Sequence, residues 1–171
     1  MLLNLREARS KERMPLPAQK LDLTEIVANE PSIQAADPVE VKLEASGDGE
    51  QVVVRGQAEG KLELICSRCL TVFDSPLHVG FTERFANEPP DEEQDEADEE
   101  SDIHYIAEDK VDLTPYIMEN IILDLPQFPL CDEHCLGLCP TCGCNRNTEP
   151  CSCKHERLDP RWSGLQDLFQ S

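Results

Sequence analysis

The sequence is poor in basic residues and has no long apolar run. Only 15 lysines and arginines face 35 aspartates and glutamates, which gives a formal net charge of −20. A field of that sign repels a phosphate backbone, which argues against non-specific binding of nucleic acid. No segment approaches the roughly 20 apolar residues of a membrane span, and the chain does not open on a secretory signal. We therefore expect a cytoplasmic protein with no membrane partner.

The acidic residues are concentrated in one segment. Residues 88–102 hold ten of them and no base, and such a segment cannot repay its ordering entropy by burying apolar groups. We expect a disordered acidic loop at 87–102 that separates a β-domain at 1–86 from the remainder at 103–171. The loop either solvates the chain or attracts a basic partner, and the sequence leaves both readings open.

Alternating apolar and charged residues between positions 38 and 86 predict an antiparallel β-meander. The segment VEVKLEA forms its first strand, QVVVRGQAEGKLELIC one or two more, and LTVFDSPLHVGFTERF another pair. Pro76 has no N–H to donate to a ladder, so it should lie at an edge or a bend. The fold class that we predict is α+β, with an antiparallel or partly closed sheet, short helices and a cysteine-rich C-terminal segment.

Shorter elements flank the meander. Residues 1–31 predict a strand, a loop and a short element, and DIHYIAED predicts one more strand. The segment DLTPYIMENIILDLP predicts a helix that Asp112 or Thr114 caps, with Pro115 in its first turn. The apolar face of that helix comprises Ile117, Ile121, Ile122 and Leu125. The segment LDPRWSGLQDLFQ predicts a similar helix at the C-terminal end.

Nine cysteines are present, and seven of them lie between residues 131 and 153. Disulfides are uncommon in a reducing cytosol, and an odd number of cysteines cannot all be paired. Metal binding is therefore the leading explanation of the thiols, since four thiolates are a typical ligand set for structural zinc.

The spacing of the cysteines predicts two zinc sites. Eight of the nine form four close pairs, and the pairs at 139/142 and 151/153 are near enough to close one local site. The remaining two pairs would complete a long-range site that ties the C-terminal segment to the meander. The predicted ligands are Cys139, Cys142, Cys151 and Cys153 for the first site, and Cys66, Cys69, Cys131 and Cys135 for the second.

Cys144 is left over, and we interpret it as a spare thiol because structural zinc sites close at four ligands. His134 and His155 are close enough in sequence to replace a thiolate. A catalytic zinc keeps an open position beside a general base, and the sequence offers no such arrangement. CSRC lacks the strand-then-helix context of a thioredoxin-like redox pair. We therefore expect no enzymatic activity and no small-molecule substrate, with a metal-handling or thiol-redox protein as the alternative.

The order of these motifs resembles the YceD family of large ribosomal RNA subunit accumulation proteins. The resemblance covers residues 38 to 169 and rests on CSRCL, MENIILDLPQFPLC, CLGLCPTCGCNRN, CSC and DPRWSGLQDL. It implies a non-enzymatic protein needed for the accumulation or processing of large-subunit ribosomal RNA. The family's first knuckle maps onto Cys66 and Cys69, and its C-terminal cluster maps onto the six other predicted ligands. Cys144 and the acidic run depart from the family pattern.

A ribosomal role must be reconciled with the strong negative charge of the chain. One solution is a local basic surface beside the cysteines, formed by Arg68, Arg146, Lys154, Arg157 and Arg161. The other is a basic ribosomal protein as the partner, attracted by the acidic loop. The sequence predicts a contact with a large-subunit ribosomal RNA precursor, with a basic ribosomal protein, or with both.

Overall fold

A computed structural model describes residues 1–87 and 103–153 of the chain. Within these residues three short helices occur, α1 (Leu5–Arg9), α2 (Thr24–Asn29) and α3 (Thr114–Asp124). The strands are β1 (Leu2–Asn4), β2 (Met14–Pro15), β3 (Gln19–Leu21), β4 (Ile33–Ala36), β5 (Val39–Asp48), β6 (Gln51–Ile65), β7 (Val72–Ala86), β8 (Ile103–Tyr105) and β9 (Lys110–Asp112). None of the described helices has the length and apolar character needed to cross a membrane.

Among the described residues, the main sheet has seven strands and is open. Its order is β2-β5-β6-β7-β8, while β3 adds to β5 and β4 adds to β6. The pairs are antiparallel except for β7 with β8, which is parallel. β1 and β9 form a separate two-stranded sheet. The predicted α+β class is confirmed, and the sheet does not close on itself within the described residues.

Two strands of 15 residues each, β6 and β7, form the centre of the sheet. They pair along their whole length, from Val52 with Phe85 to Ile65 with Val72. The predicted pair of strands after Cys69 is therefore wrong, because β7 is continuous. Pro76 is tolerated inside it since β8 pairs only with residues 84–86, so this part of β7 is an edge, as predicted.

The period-2 pattern places one face of the sheet in the core. In β6 the side chains of Val54, Ala58, Leu62 and Leu64 are buried, while the residues between them are mostly exposed. α3 packs on this face through Ile117 and Ile121, which are both fully buried. Ile122 was predicted on the same face but is 44% exposed, because the buried stripe of this helix is narrower than the apolar stripe of its sequence.

The tripeptide Asp-Leu-Thr begins both α2 and α3. The N–H of Thr24 donates to Asp22 Oδ1 at 2.7 Å, and the N–H of Thr114 donates to Asp112 Oδ1 at 3.0 Å. Two hydrogen bonds from Thr24 lower the pKa of Asp22 below its ordinary value. The hydroxyl donor has the larger effect and the backbone N–H the smaller one. The hydrogen bond from the N-terminal amine of Met1 is the main cause that lowers the pKa of Asp112 to about 2, and hydrogen bonds from Thr114 add to it.

The prediction left Asp112 and Thr114 open as caps of α3. The N-cap position is Leu113, which has no side-chain cap, and Asp112, the residue before it, accepts the hydrogen bond at the start of α3.

The N-terminal residues are more structured than the sequence predicted, since α1 lies against β5 and β6. The approach is close at Gly47, whose N–H donates to the carbonyl of Lys11 at 2.9 Å. A Cβ at Gly47 would lie 2.1 Å from the carbonyl oxygen of Arg9. Because that atom belongs to the backbone of Arg9, it cannot move without displacing the C-terminal end of α1. This glycine therefore sets how closely the N-terminal segment packs on the sheet.

We expect Gly47→Ala to lower the free energy of unfolding by roughly 2 kcal/mol, because the added methyl overpacks this contact. Chemical denaturation monitored by circular dichroism measures the change. Gly80→Ala is the matched control, since a Cβ at Gly80 would have no described residue other than its chain neighbours within 4 Å. That variant should be neutral or up to roughly 1 kcal/mol more stable. Equal stability of the two variants would contradict the close approach at Gly47.

Two sequence predictions fall outside the described residues: the acidic loop at 88–102 and the C-terminal helix beyond residue 158. Among the described residues, the segments on either side of the loop share hydrogen-bonded strands. β8 pairs with β7, and β9 pairs with β1. The elements that precede the cysteine-rich segment are therefore attached directly to the N-terminal part of the chain.

Candidate metal centres

The first pair of cysteines lies in the hairpin turn between β6 and β7. The N–H of Cys66 donates to the carbonyl of Thr71 at 3.0 Å, and the N–H of Leu70 donates to the carbonyl of Cys66 at 2.9 Å. Leu70 takes a positive φ of 59° to close this turn. The side chains of Cys66 and Cys69 are buried, at 0% and 5% exposure. The long hairpin therefore ends in two inward-facing thiols.

The second pair follows α3 in an irregular segment. The N–H of Cys135 donates to the carbonyl of Asp132 at 3.0 Å, and the carboxylate of the same aspartate accepts from the N–H of His134 at 2.8 Å. These bonds form a tight turn between Cys131 and Cys135. Cys135 is buried with the hairpin thiols in a small cluster that also contacts Phe73 and Leu130.

The four thiols of Cys66, Cys69, Cys131 and Cys135 meet in one group, with every pair of sulfurs within 4.8 Å. Cys66 Sγ is 3.8 Å from Cys135 Sγ, and Cys69 Sγ is 3.6 Å from Cys131 Sγ. A tetrahedral zinc with sulfur ligands at 2.3 Å requires sulfurs about 3.8 Å apart. The donor set and its spacing therefore fit a four-thiolate metal ion. We call this group site A.

Backbone hydrogen bonds join the two halves of site A. The N–H of Ser67 donates to the carbonyl of Pro129 at 2.8 Å, and the N–H of Leu138 donates to the carbonyl of Arg68 at 3.0 Å. The guanidinium of Arg68 also donates to the carbonyl of Cys135 at 3.0 Å. Gly137 lies beside these hydrogen bonds and takes a positive φ of 72°. A Cβ at Gly137 would be 3.0 Å from the Arg68 carbonyl oxygen. Site A thus attaches the cysteine-rich segment to the sheet.

A second group, site B, is formed by Cys139, Cys142, Cys151 and Cys153, again with all sulfurs within 4.8 Å. Cys139 Sγ and Cys151 Sγ are 3.3 Å apart, and Cys142 Sγ and Cys151 Sγ are 3.8 Å apart. The N–H groups of Thr141 and Cys142 both point at Cys139 Sγ, at 3.4 Å. Two backbone donors on one sulfur stabilise a thiolate, and the four thiols again fit a metal ion.

The pKa values of the thiols show how the protein stabilises negative charge in both sites. Burial raises the pKa of Cys66, but backbone N–H donors outweigh it and lower that pKa to about 6. The N–H of Cys142 is the main cause that lowers the pKa of Cys139 to about 5. The hydrogen bond with Cys69 is the main cause that raises the pKa of Cys131 to about 12. Each site therefore holds one thiol that ionises readily beside thiols that keep their protons. A bound cation would displace those remaining protons.

Two asparagines that the sequence analysis did not single out lie between the ligands of site B in the chain and contact site A. Asn147 Nδ2 donates to Cys135 Sγ at 3.2 Å, and Asn147 Oδ1 accepts from the N–H of Leu136 at 2.7 Å. Asn145 Nδ2 donates to Thr71 Oγ1 at 3.3 Å, and that hydroxyl is hydrogen-bonded to Cys69 Sγ. Such bonds orient the sulfurs and share their charge. The only signal in the sequence was the CNRN segment directly after the knuckle.

Within the described residues, Cys144 and His134 are not among the four candidate ligands of either site. Cys144 Sγ is 3.4 Å from Cys142 Sγ, and mainly this contact raises the pKa of Cys144 to about 12. Cys144 nevertheless lies outside the group of four mutually close sulfurs. His134 belongs to neither group of candidate ligands, and His155 lies outside the described residues. None of the nine cysteines, all of which are described, forms a disulfide.

Two of the five predicted basic contact residues are described. The backbones of Arg68 and Arg146 bracket one segment, since Leu138 donates to the Arg68 carbonyl and Arg146 donates to the Gly137 carbonyl, both at 3.0 Å. Both side chains are exposed. Lys154, Arg157 and Arg161 lie outside the described residues. The structure therefore brings the two described arginines to the same turn between sites A and B.

A family profile described as large ribosomal RNA subunit accumulation protein YceD matches residues 54–169. This range contains all the ligands of sites A and B, and it omits the N-terminal strands and helices before β6. No solved structure matches the chain.

Three curated relatives illustrate the similarity. An uncharacterized protein of Mycobacterium tuberculosis is 34% identical over 77% of this chain and 61% of its own length. An uncharacterized protein of Bacillus subtilis is 28% identical over 89% of this chain and 86% of its own length. The maize protein named large ribosomal RNA subunit accumulation protein YCED homolog 1, chloroplastic, is 25% identical over 80% of this chain. The chain spans 61% of the length of the mycobacterial relative and 55% of the maize relative.

Proposed function

Because this chain belongs to the YceD family, we propose that it is a non-enzymatic ribosome-biogenesis factor of the cytoplasm that promotes accumulation and processing of large-subunit (23S) ribosomal RNA. The family match carries this proposal, and the names of the maize and Arabidopsis relatives support it. The described part of the chain is a sheet and helices that present two metal-ligand clusters. This arrangement supports a role in binding a partner.

The metal in sites A and B is zinc, in a structural role. Four soft thiolates in a tetrahedral arrangement are typical of structural zinc and leave no position for a substrate. Three of the four sulfurs in site A belong to buried residues, at 0% to 5% exposure for Cys66, Cys69 and Cys135. A protein that transfers metal or exchanges disulfides needs accessible thiols. The burial of site A therefore favours a structural ion over the metal-handling or redox alternative.

The partner is a large-subunit ribosomal RNA precursor, a basic ribosomal protein, or both. Arg68 and Arg146 supply positive charge at the turn between the two sites, where a phosphate could be contacted without crossing the acidic surface. The acidic run at 88–102, with ten carboxylates, would instead increase the association rate of a basic protein at low ionic strength. Both contacts can occur on one assembly intermediate.

Removal of the gene from its own organism tests the proposal. We expect the ratio of mature 23S to 16S ribosomal RNA to fall and unprocessed large-subunit precursor to rise, because large-subunit assembly stalls without the factor. Quantitative electrophoresis and hybridisation of total RNA measure both. Expression of the intact chain from a plasmid should restore the ratio. An unchanged ratio and precursor level in the deletion strain would contradict the proposal.

A further inference from the structure

A groove runs between α2 and α3. Its volume is about 730 Å³. The apolar side chains along it include Leu21, Ile26, Pro115, Met118 and Ile122. Ile26 is buried and belongs to the core, whereas Ile122 is 44% exposed. The groove therefore has an apolar floor that continues the core to the surface.

The rim of the groove is acidic. Asp22, Glu25, Glu30 and Asp112 line it, and among the described residues no lysine or arginine does. Hydrogen bonds from Thr24 and Thr114 hold two of these carboxylates at the starts of the helices. Within residues 1–87 and 103–153, Asp22, Glu25 and Glu30 form no ion pair. Three carboxylates beside an apolar floor are therefore free to pair with a partner's cations.

We propose that this groove binds a basic amphipathic segment of a partner protein, an inference that rests on the ribosome-biogenesis function proposed above. Apolar side chains of the segment enter between Ile26, Met118 and Ile122, and its lysines or arginines reach the acidic rim. This is the usual arrangement in which an amphipathic segment lies in an apolar groove. Charge complementarity then favours the correct partner and speeds the encounter.

RNA does not suit this groove. Phosphates would meet the carboxylates of Asp22, Glu25 and Glu30, whereas Asp112 is already paired with the Met1 amine at 2.7 Å, and the like charges repel. Single-stranded RNA is usually held by aromatic side chains that stack on its bases and by cations along its backbone. Of the residues that the structure describes, those lining the groove include neither aromatic nor basic side chains. The groove is thus a protein-binding surface, separate from the arginines beside the metal sites.

The test uses the full-length zinc-loaded chain and a fluorescent synthetic helix of 18 residues, with leucines on one face and lysines on the other. A second probe carries glutamates in place of the lysines. We expect the lysine probe to bind, with an affinity that falls as salt is raised, and the glutamate probe not to bind. Fluorescence anisotropy gives the dissociation constants.

Two pairs of variants locate the binding. Ile122→Ser should weaken binding of the lysine probe by about tenfold, because a partly exposed apolar contact of the groove is lost. Leu123→Ser is its matched control, since Leu123 is 76% exposed but lines a depression on the other side of α3. Glu25→Lys should weaken binding by at least about fivefold. Its control is Glu119→Lys, an equal charge change outside the groove, and both controls should stay within about twofold of wild type.

Several results would overturn the inference. Equal losses in the groove variants and their controls would show that the probe binds the acidic surface in general. Stronger binding of a large-subunit RNA fragment that Ile122→Ser abolishes would make RNA the occupant. A synthetic copy of residues 154–171 that displaces the probe and binds more tightly would make the chain's own C-terminal segment the occupant. A dimer in sedimentation that Ile122→Ser dissociates would identify a second copy.

Complementation separates this inference from the proposed function. If the deletion strain loses 23S RNA and Glu25→Lys restores it fully despite losing the probe, the groove inference is overturned and the function stands. If the deletion strain shows no RNA defect, the function fails, and the anisotropy results still decide whether the groove binds basic segments. Glu25 is exposed, so its replacement keeps the test valid even if Ile122→Ser does not fold.

Discussion

Cys135→Ser is expected to reduce bound zinc from two ions to one per chain and to detach the cysteine-rich segment from the sheet. Site A is the connection between the hairpin of β6 and β7 and residues 131–135. Serine is a poor zinc ligand, and the remaining three thiols would hold uncompensated charge in a buried cluster. The free energy of unfolding should fall by roughly 4 kcal/mol, as in other losses of a structural metal.

Three measurements check this prediction. Elemental analysis gives the zinc content, and thermal unfolding should show a melting temperature lower by roughly 8 to 16 °C. Hydrogen exchange should accelerate at the amides of Ser67 and Leu138, which donate across the joint between the two halves of site A. Cys144→Ser is the control, as it removes a thiol without removing a site A ligand. If Cys135→Ser keeps both ions and the protection of these amides, site A is not a metal site.

Cys139→Ser is expected to lose the other ion while leaving the sheet intact. All four ligands of site B lie between residues 139 and 153, so its loss should loosen only that segment. Zinc content should again fall from two ions to one, but the melting of the sheet should change by less than roughly 3 °C. Hydrogen exchange should increase at Gly143, whose N–H donates to the Cys139 carbonyl at 2.8 Å.

The companion variant Cys144→Ser tests the choice of ligands in site B. Cys144 Sγ is only 3.4 Å from Cys142 Sγ, so a metal ion could in principle select it over Cys153. We expect Cys144→Ser to keep both ions and the wild-type melting temperature, because it lies outside the four mutually close sulfurs. Release of one ion from Cys144→Ser alone would show that the ligand assignment is wrong.

The cysteine grouping could be predicted because chain spacing limits which pairs can meet. Cys139, Cys142, Cys151 and Cys153 are close enough in sequence to bind one ion, and the two remaining pairs then had no other partners than each other. The structure places the same eight thiols in two clusters that could hold metal. The apolar alternation of β5 and β6 was equally readable, since each strand has one buried face.

Long-range pairing could not be read from the sequence. The parallel pairing of β8 with β7 depends on where the chain returns after residue 87, and no local pattern records that. The sequence predicted Pro76 at an edge or a bend, and only the pairing of β8 with residues 84–86 shows that the edge applies. The hydrogen bond from Asn147 to Cys135 Sγ joins residues that only the folded turn brings together. These features arise from tertiary contacts, which outweigh local preference.

The separation of the two halves of site A affects how the chain matures during synthesis. Cys131 follows Cys69 by 62 residues, so at roughly 5 to 20 residues per second the hairpin waits roughly 3 to 12 s for its second pair of ligands. Site B lies within residues 139–153 and is completed almost as soon as it emerges. During the wait two hairpin thiols are without their partners and open to oxidation. If the proposed zinc is bound, its supply and reducing conditions at the translating ribosome therefore matter most for site A.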